Sequence, residues 1–350
     1  MIEKGKNMHN HRIICALCGK EAFTIEESFQ GYIEGSFHKI YFCKNCNTSF
    51  VLTDVDTKAI YDLIYKFAEK VPGYKRYYRY HETVINLENS LEYLASSEET
   101  YWIVKDALSR IKKNKTEINI IEIGSGLGYL TYALNKEGYN TLGIDISHNA
   151  VEKAVQQFGS NYICADVKEY ASNIQKKYDV AILTEVIEHV EKPVELLQYV
   201  CSMLKSDGKI VVSTPNKTIF SKDEVWYSDL PPVHLWWFSE KSMLQIGNLL
   251  DMKVTFTDFT KYYKNKYAYA VLDPQKPKPV FSSKGVLLNR QEDFLTQQPE
   301  KATHPLKAIL KKNKTLLYLV YLVRKIKYGK FLHKFGKTGM FLGIVFDKRD

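Results

Sequence analysis

Long hydrophobic runs are missing from this 350-residue sequence. The longest, Leu316–Val323, has eight residues, whereas a helix crossing a bilayer needs about 20. The opening MIEKGKNMHNHRII has no apolar stretch of the kind an export signal carries. Cysteine is also scarce, at six, and four of the six stand in two spaced pairs. That is not the pattern of a secreted disulfide framework, so a cytoplasmic, reducing compartment is expected. Acidic residues are absent from 301–340, a segment holding eleven Lys or Arg. The other 310 residues carry 38 basic and 40 acidic side chains, so the net charge of +9 belongs to that one block. An apolar fraction of 45% and a charged fraction of 25% are ordinary for a globular chain of two or three domains.

The first feature present is Cys15-x-x-Cys18 followed, after 24 residues, by Cys43-x-x-Cys46. Each pair can place two thiolates on one tetrahedral Zn²⁺, and Gly19 and Asn47 suit the tight turns that follow. The spacer is rich in aromatic and β-branched residues and reads as two or three short strands, giving a zinc-ribbon-like module over 1–60. A redox C-x-x-C would not need two copies. The module has few basic residues, which argues against a nucleic-acid partner.

Residues 61–115 read as a helical linker, with helices over IYDLIYKFAEKV, HETVINLENSLEYLASS and EETYWIVKDALSRIKK. Pro72-Gly73 and Ser96-Ser97 separate them. The tyrosine- and arginine-rich stretch Tyr74–His81 either packs through its rings or forms a lid over a site.

From Ile118 strands alternate with helices, which predicts a doubly wound α/β sheet. The near-continuous apolar strand INIIEIG leads into Gly124-Ser125-Gly126-Leu127-Gly128, a glycine turn that lets backbone approach a ligand. Its G-x-G-x-G spacing is not that of dinucleotide domains. Asp145 ends the second strand, where an acid accepts hydrogen bonds from ribose hydroxyls, and Asp166 ends the third.

In this order IIEIGSGLGYL, LGIDIS, CADV, DVAILTEVIEHVEKP and LKSDGKIVVSTPN resemble a class I S-adenosylmethionine-dependent methyltransferase over about 118–256. The branch with "EH" after the fourth strand is the nearest in kind, and PPVHLWWFS also resembles it. The resemblance implies a Rossmann-like seven-stranded sheet and S-adenosylmethionine as cofactor. It implies that Glu122, Gly124, Ser125, Gly126 and Gly128 hold the methionine part, Asp145 with Ile146 the ribose, and Asp166 with Val167 the adenine. Thr184 and Glu185 would border the methyl group. The sixth and seventh strands map onto Lys253–Phe259 and Met340–Lys348, with roughly 80 residues between them, far more than a hairpin needs. The expected layout is therefore a core over 116–272, a basic helical insertion over 273–338 and a last strand in 339–350. Members with a four-cysteine module often modify sugars, which implies a sugar of a nucleotide-sugar or surface-glycan precursor as acceptor.

A hydroxyl or carbon acceptor needs a base, and His189 and His234 are the candidates. If 185–190 is a helical turn, Glu185 and His189 share a face and Glu185 orients the ring, while Glu188 points elsewhere. Capping or packing remains open for His189. Metal ligation is disfavoured, since EVIEH lacks a second histidine on that face. The 301–340 segment either packs on the core or lies peripherally on anionic membrane, where each basic residue adds about 1 kcal/mol. Alternative readings are a small-molecule or quinone-type O-methyltransferase, an RNA methyltransferase, and a non-enzymatic zinc-binding protein.

Overall fold

The near-continuous apolar segments lie where strands buried on both faces are required. In a computed structural model that describes residues 12–53, 55, 57–71, 73–174, 178–219, 225–226, 230–264, 269–271, 278–288 and 332–348, the chain first forms strands β1 (Arg12–Ile14), β2 (Glu21–Gln30), β3 (Phe37–Cys43) and β4 (Thr48–Phe50). Four helices follow: α1 (Lys58–Lys66), α2 (Lys75–Val84), α3 (Ser90–Ser97) and α4 (Glu99–Ser109). The helix expected over 81–97 is two helices. Ser90 breaks it by donating its hydroxyl to the Val84 and Leu87 carbonyls.

Strands and helices then alternate: β5 (Asn119–Ile123), α5 (Tyr129–Lys136), β6 (Asn140–Asp145), α6 (His148–Phe158), β7 (Tyr162–Cys164), α7 (Val167–Asn173), β8 (Tyr178–Thr184), α8 (Pro193–Ser202) and β9 (Leu204–Pro215). The turn expected at Ser206–Lys209 is absorbed into β9, where the register against β8 shifts between Tyr178 and Val180. The described chain continues through β10 (Trp236–Trp237), α9 (Glu240–Leu249), β11 (Met252–Phe256), α10 (Thr260–Tyr263), β12 (Tyr269–Val271), β13 (Leu332–Lys334) and β14 (Phe341–Lys348). Ser147 and Ser239 cap α6 and α9 through their hydroxyls.

Seven strands form the central sheet in the order β11-β14-β9-β8-β5-β6-β7. The five from β9 to β7 run parallel, and β14 enters antiparallel between β9 and β11, with Ile344 opposite Val212 and Phe256. This is the Rossmann-like methyltransferase sheet expected from the sequence, hairpin included. Val180 to Leu183 are fully buried, and such burial stabilises by roughly 1.5–3 kcal/mol per large aliphatic side chain. β5 pairs with β6 on one side and β8 on the other. The strand order reverses there, and a ligand crevice opens at the carboxyl ends of these strands.

The N-terminal strands form a second sheet, β1-β2-β3-β4-β10. Its fifth strand comes from the loop after β9, with Trp236 opposite Phe50. Sequence places this module at 1–60; the structure extends its sheet to the loop after β9. Phe50 and Trp236 stack at 5.2 Å, and the Ser239 hydroxyl donates to the Cys46 carbonyl. Of the insertion expected over 273–338, residues 278–288 form no helix but bridge to the module through Phe281 and Ile33. β12 and β13 pair across the gap in sequence. The basic stretch 301–331 lies outside the described residues. Among the described residues, no helix is long and apolar enough to cross a membrane.

Candidate active site

At the carboxyl end of β5 the chain turns through three left-handed glycines, Gly124 (φ 71°), Gly126 (φ 51°) and Gly128 (φ 81°). A Cβ on Gly128 would stand 2.6 Å from the Ala154 Cβ, and one on Gly124 2.6 Å from Val186. Only glycine fits both the conformation and the space. The amides of Gly124 and Ser125 donate to the Ile144 carbonyl, that of Gly128 to Ser125, and that of Gly126 to Asp145. The turn therefore uses these four donors within the fold. The Ser125 hydroxyl is buried with no hydrogen-bond partner among the described residues.

Beneath the turn, Glu122 is buried and accepts a hydrogen bond from the Thr131 hydroxyl. Burial pushes its carboxyl up to about 8. The Asp145 carboxylate accepts from the Gly126 and Ser147 amides, each at 2.8 Å, and burial raises its pKa. Beside it Ile146 is 72% exposed, an apolar side chain at the crevice edge able to cover a ring. Asp166 accepts from the Lys168 and Glu169 amides as the N-cap of α7, next to half-buried Val167. A carboxylate that caps a turn or helix is also fixed in place for a ligand.

The end of β8 departs from the expected helical turn. Glu185 is itself left-handed (φ 55°), and the 3₁₀ turn begins only at Ile187. The positive φ takes Glu185 out of the helical phase on which the expected Glu185–His189 pairing rested. Glu185 instead accepts from the Tyr77 hydroxyl at 2.7 Å and pairs with Arg76 at 3.2 Å. Both belong to α2, more than 100 positions earlier in sequence. Burial raises the Tyr77 phenol, which stays protonated as the donor. Arg76 also pairs with buried Glu98 at 3.1 Å, and His81 Nδ1 lies 2.9 Å from the Leu127 carbonyl of the glycine turn. The tyrosine-rich segment thus packs through its rings against the edge of the crevice. Sequence reasoning reached the cluster as a whole but singled out neither Arg76, Tyr77 nor His81.

Glu188, expected to point away, is fully buried and shares a cluster with His189 and His234. The two rings meet edge to face at 4.4 Å. His189 Nδ1 is 2.7 Å from the Val233 carbonyl. A carbonyl only accepts, so Nδ1 carries the proton and Nε2 the lone pair. His234 keeps some solvent contact, yet its desolvated surroundings push it down to about 3, leaving it a weak base. The Leu235 amide donates to the Glu188 carbonyl and the Trp236 indole N–H to the Val190 carbonyl, which holds the two segments together.

The four cysteine sulfurs of the N-terminal sheet lie within 4.8 Å of one another. Gly19 (φ 65°) and Asn47 (φ 54°) make the turns behind the pairs. Cys15 is pushed down to about 5 by its hydrogen bond with Cys46, and Cys46 is raised by the same contact. Four converging sulfurs suit a tetrahedral soft-metal site with no position left for water.

Residues 97–255 match a family model described as a methyltransferase domain. Curated relatives include the ubiquinone biosynthesis O-methyltransferase of Coxiella burnetii, 30% identical over 104 residues, which cover 28% of this chain and 44% of that protein. The mitochondrial ubiquinone biosynthesis O-methyltransferase of Dictyostelium discoideum is 30% identical over 120 residues, covering 30% of this chain and 37% of that one. The chain thus spans less than half the length of these relatives. A solved SAM dependent methyltransferase from Archaeoglobus fulgidus is 17% identical, covering 71% of this chain and 94% of that one, with a TM-score of 0.41.

Proposed function

We propose that the protein is an S-adenosylmethionine-dependent methyltransferase whose acceptor is a sugar of a nucleotide-sugar or glycan precursor. The observation that carries the cofactor assignment is the glycine turn at the strand-order switch. It offers a Ser125 hydroxyl without a partner among the described residues and a fixed Asp145 carboxylate, while four of its amides are engaged within the fold. A cofactor with a ribose and a methionine tail fits these groups. Gly124 to Gly128 would border its methionine part, Asp145 its ribose, and Ile146 with Val167 its base. S-adenosylmethionine supplies a methyl group already activated on a sulfonium.

The remaining task of the chain is alignment and proton removal. Glu185, held by Arg76 and Tyr77, lines the methyl side. His189 Nε2 takes the acceptor proton while the Val233 carbonyl fixes the ring. His234 is too weak a base for that role. Zn²⁺ on Cys15, Cys18, Cys43 and Cys46 fastens the N-terminal sheet, and through β10 it steadies the loop carrying His234. The sugar reading draws on the polar, tyrosine- and arginine-lined lid and on the four-cysteine module.

A quinone-type phenol is the second reading, favoured by the ubiquinone O-methyltransferases among the relatives. Calorimetry with S-adenosylmethionine on zinc-loaded protein tests the class. Absence of binding to the folded chain rejects every methyltransferase reading. Mass spectrometry after incubation with labelled cofactor and panels of nucleotide sugars and polyprenylated phenols separates the two acceptors.

A further inference from the structure

Glu188 and His189 end one strand connection, and His234 arrives from another 45 positions later. The fold brings a ligand atom from each to within 4.8 Å of the others. Two imidazoles and one carboxylate are a donor set that borderline divalent metals take readily. A second observation points the same way. His189 donates Nδ1–H to the Val233 carbonyl, the outer bond that metal-bound histidines almost always make, because it aims the other nitrogen's lone pair at the cation. The carboxylate is buried rather than solvated. The Tyr61 ring meets His189 edge-on at 6.3 Å, and its buried hydroxyl has no hydrogen-bond partner among the described residues. Glu185 is held by Arg76 and Tyr77.

We propose that Glu188, His189 and His234 bind one divalent first-row transition-metal cation, separate from the four-cysteine cluster, with coordination positions left for an oxygen of the acceptor. Three protein ligands leave at least one position open in a tetrahedral site and more in an octahedral one. Occupancy of the site does not depend on the methyl-transfer reading; its use does. In that reaction the acceptor hydroxyl ligates the cation, its pKa falls and its proton passes to solvent water. The oxygen then attacks the methyl carbon: the C–O bond forms, the C–S bond breaks, and the sulfonium leaves as a neutral thioether. The base role of His189 described above belongs to the metal-free protein. In the loaded protein its lone pair is a ligand.

The probe is Co²⁺, added to full-length protein whose four-cysteine cluster is already filled with zinc. Thiolates hold zinc in preference to cobalt, so the added ion reports the second site. One equivalent is expected to bind with a nitrogen- and oxygen-type visible spectrum and no thiolate charge-transfer band. Proton NMR should show two hyperfine-shifted imidazole N–H signals, the His189 one protected from exchange by Val233. Binding should weaken by 10-fold or more in Glu188→Gln and in His234→Gln. Absence of a bound equivalent in folded wild type, absence of imidazole signals, or unchanged affinity in both variants overturns the proposal. The wild-type signals decide the matter even where a variant fails to fold. Calorimetry with S-adenosylmethionine on the same sample separates the two readings: cofactor binding without cobalt rejects only the metal site, and cobalt without cofactor only the methyltransferase.

Discussion

The two sides of the crevice are built in different ways. The proposed cofactor side comes from one continuous stretch, Ile118 to Val167, and its two strand-end carboxylates accept from nearby backbone: Asp145 from Gly126 and Ser147, Asp166 from Lys168 and Glu169. The proposed acceptor side is assembled from three distant stretches, α2, the end of β8 and the loop at 230–239, tied by side chains such as Tyr77 to Glu185 and His189 to Val233. Local backbone contacts make the first side self-sufficient. The second depends on the whole fold, so substitutions there should alter acceptor handling and spare cofactor binding.

The largest break in this contrast comes from the far end of the N-terminal sheet. Cys46→Ser should destabilise by more than about 4 kcal/mol, as loss of a structural metal does. Denaturant unfolding reads this, and turnover should fall with the loop that β10 anchors. Next, His189→Ala should cut turnover about 10²–10⁴-fold while calorimetry gives a cofactor Kd near wild type. A lost cofactor site would erase the division between the two sides.

The third test uses pH. The Glu122 carboxyl ionises near 4.5 when unfolded and near 8 when folded. The folded chain therefore holds a proton that the unfolded chain releases. Stability should fall as pH rises from about 4.5 to about 8, by up to a few kcal/mol, and level off above. Glu122→Gln should flatten this slope in urea unfolding, and parallel curves would contradict it. Gly128→Ala, which meets Ala154 and Tyr162, should cost about 1–3 kcal/mol and weaken cofactor binding. The smallest effect is expected from Tyr77→Phe, about 1 kcal/mol for one hydrogen bond. It should appear as a raised acceptor KM with cofactor Kd unchanged.

The same contrast explains what sequence reading reached. The glycine turn, Asp145, both cysteine pairs and the last two strands were legible because their determinants are local or periodic. Arg76 and Tyr77 were visible only as part of an aromatic cluster, since nothing local marks a partner 109 positions away. The helical turn expected from Glu185 gave way on one dihedral: a left-handed Glu185 has no sequence signal, yet it moves Glu185 off the helical face. The second histidine that the EVIEH segment lacks is supplied in space by His234. Nothing local marks Trp236-Trp237 as a strand, because its partner strand β4 lies near the other end of the chain.

That two-residue strand makes the N-terminal sheet and the central domain joint owners of a single loop. A recombination event exchanging one module at residue 57 would strip the tryptophans of their neighbours and leave two large indole faces open to solvent. The modules can be inherited only together, and any graft of this four-cysteine sheet onto another core must carry residues 230–239 with it.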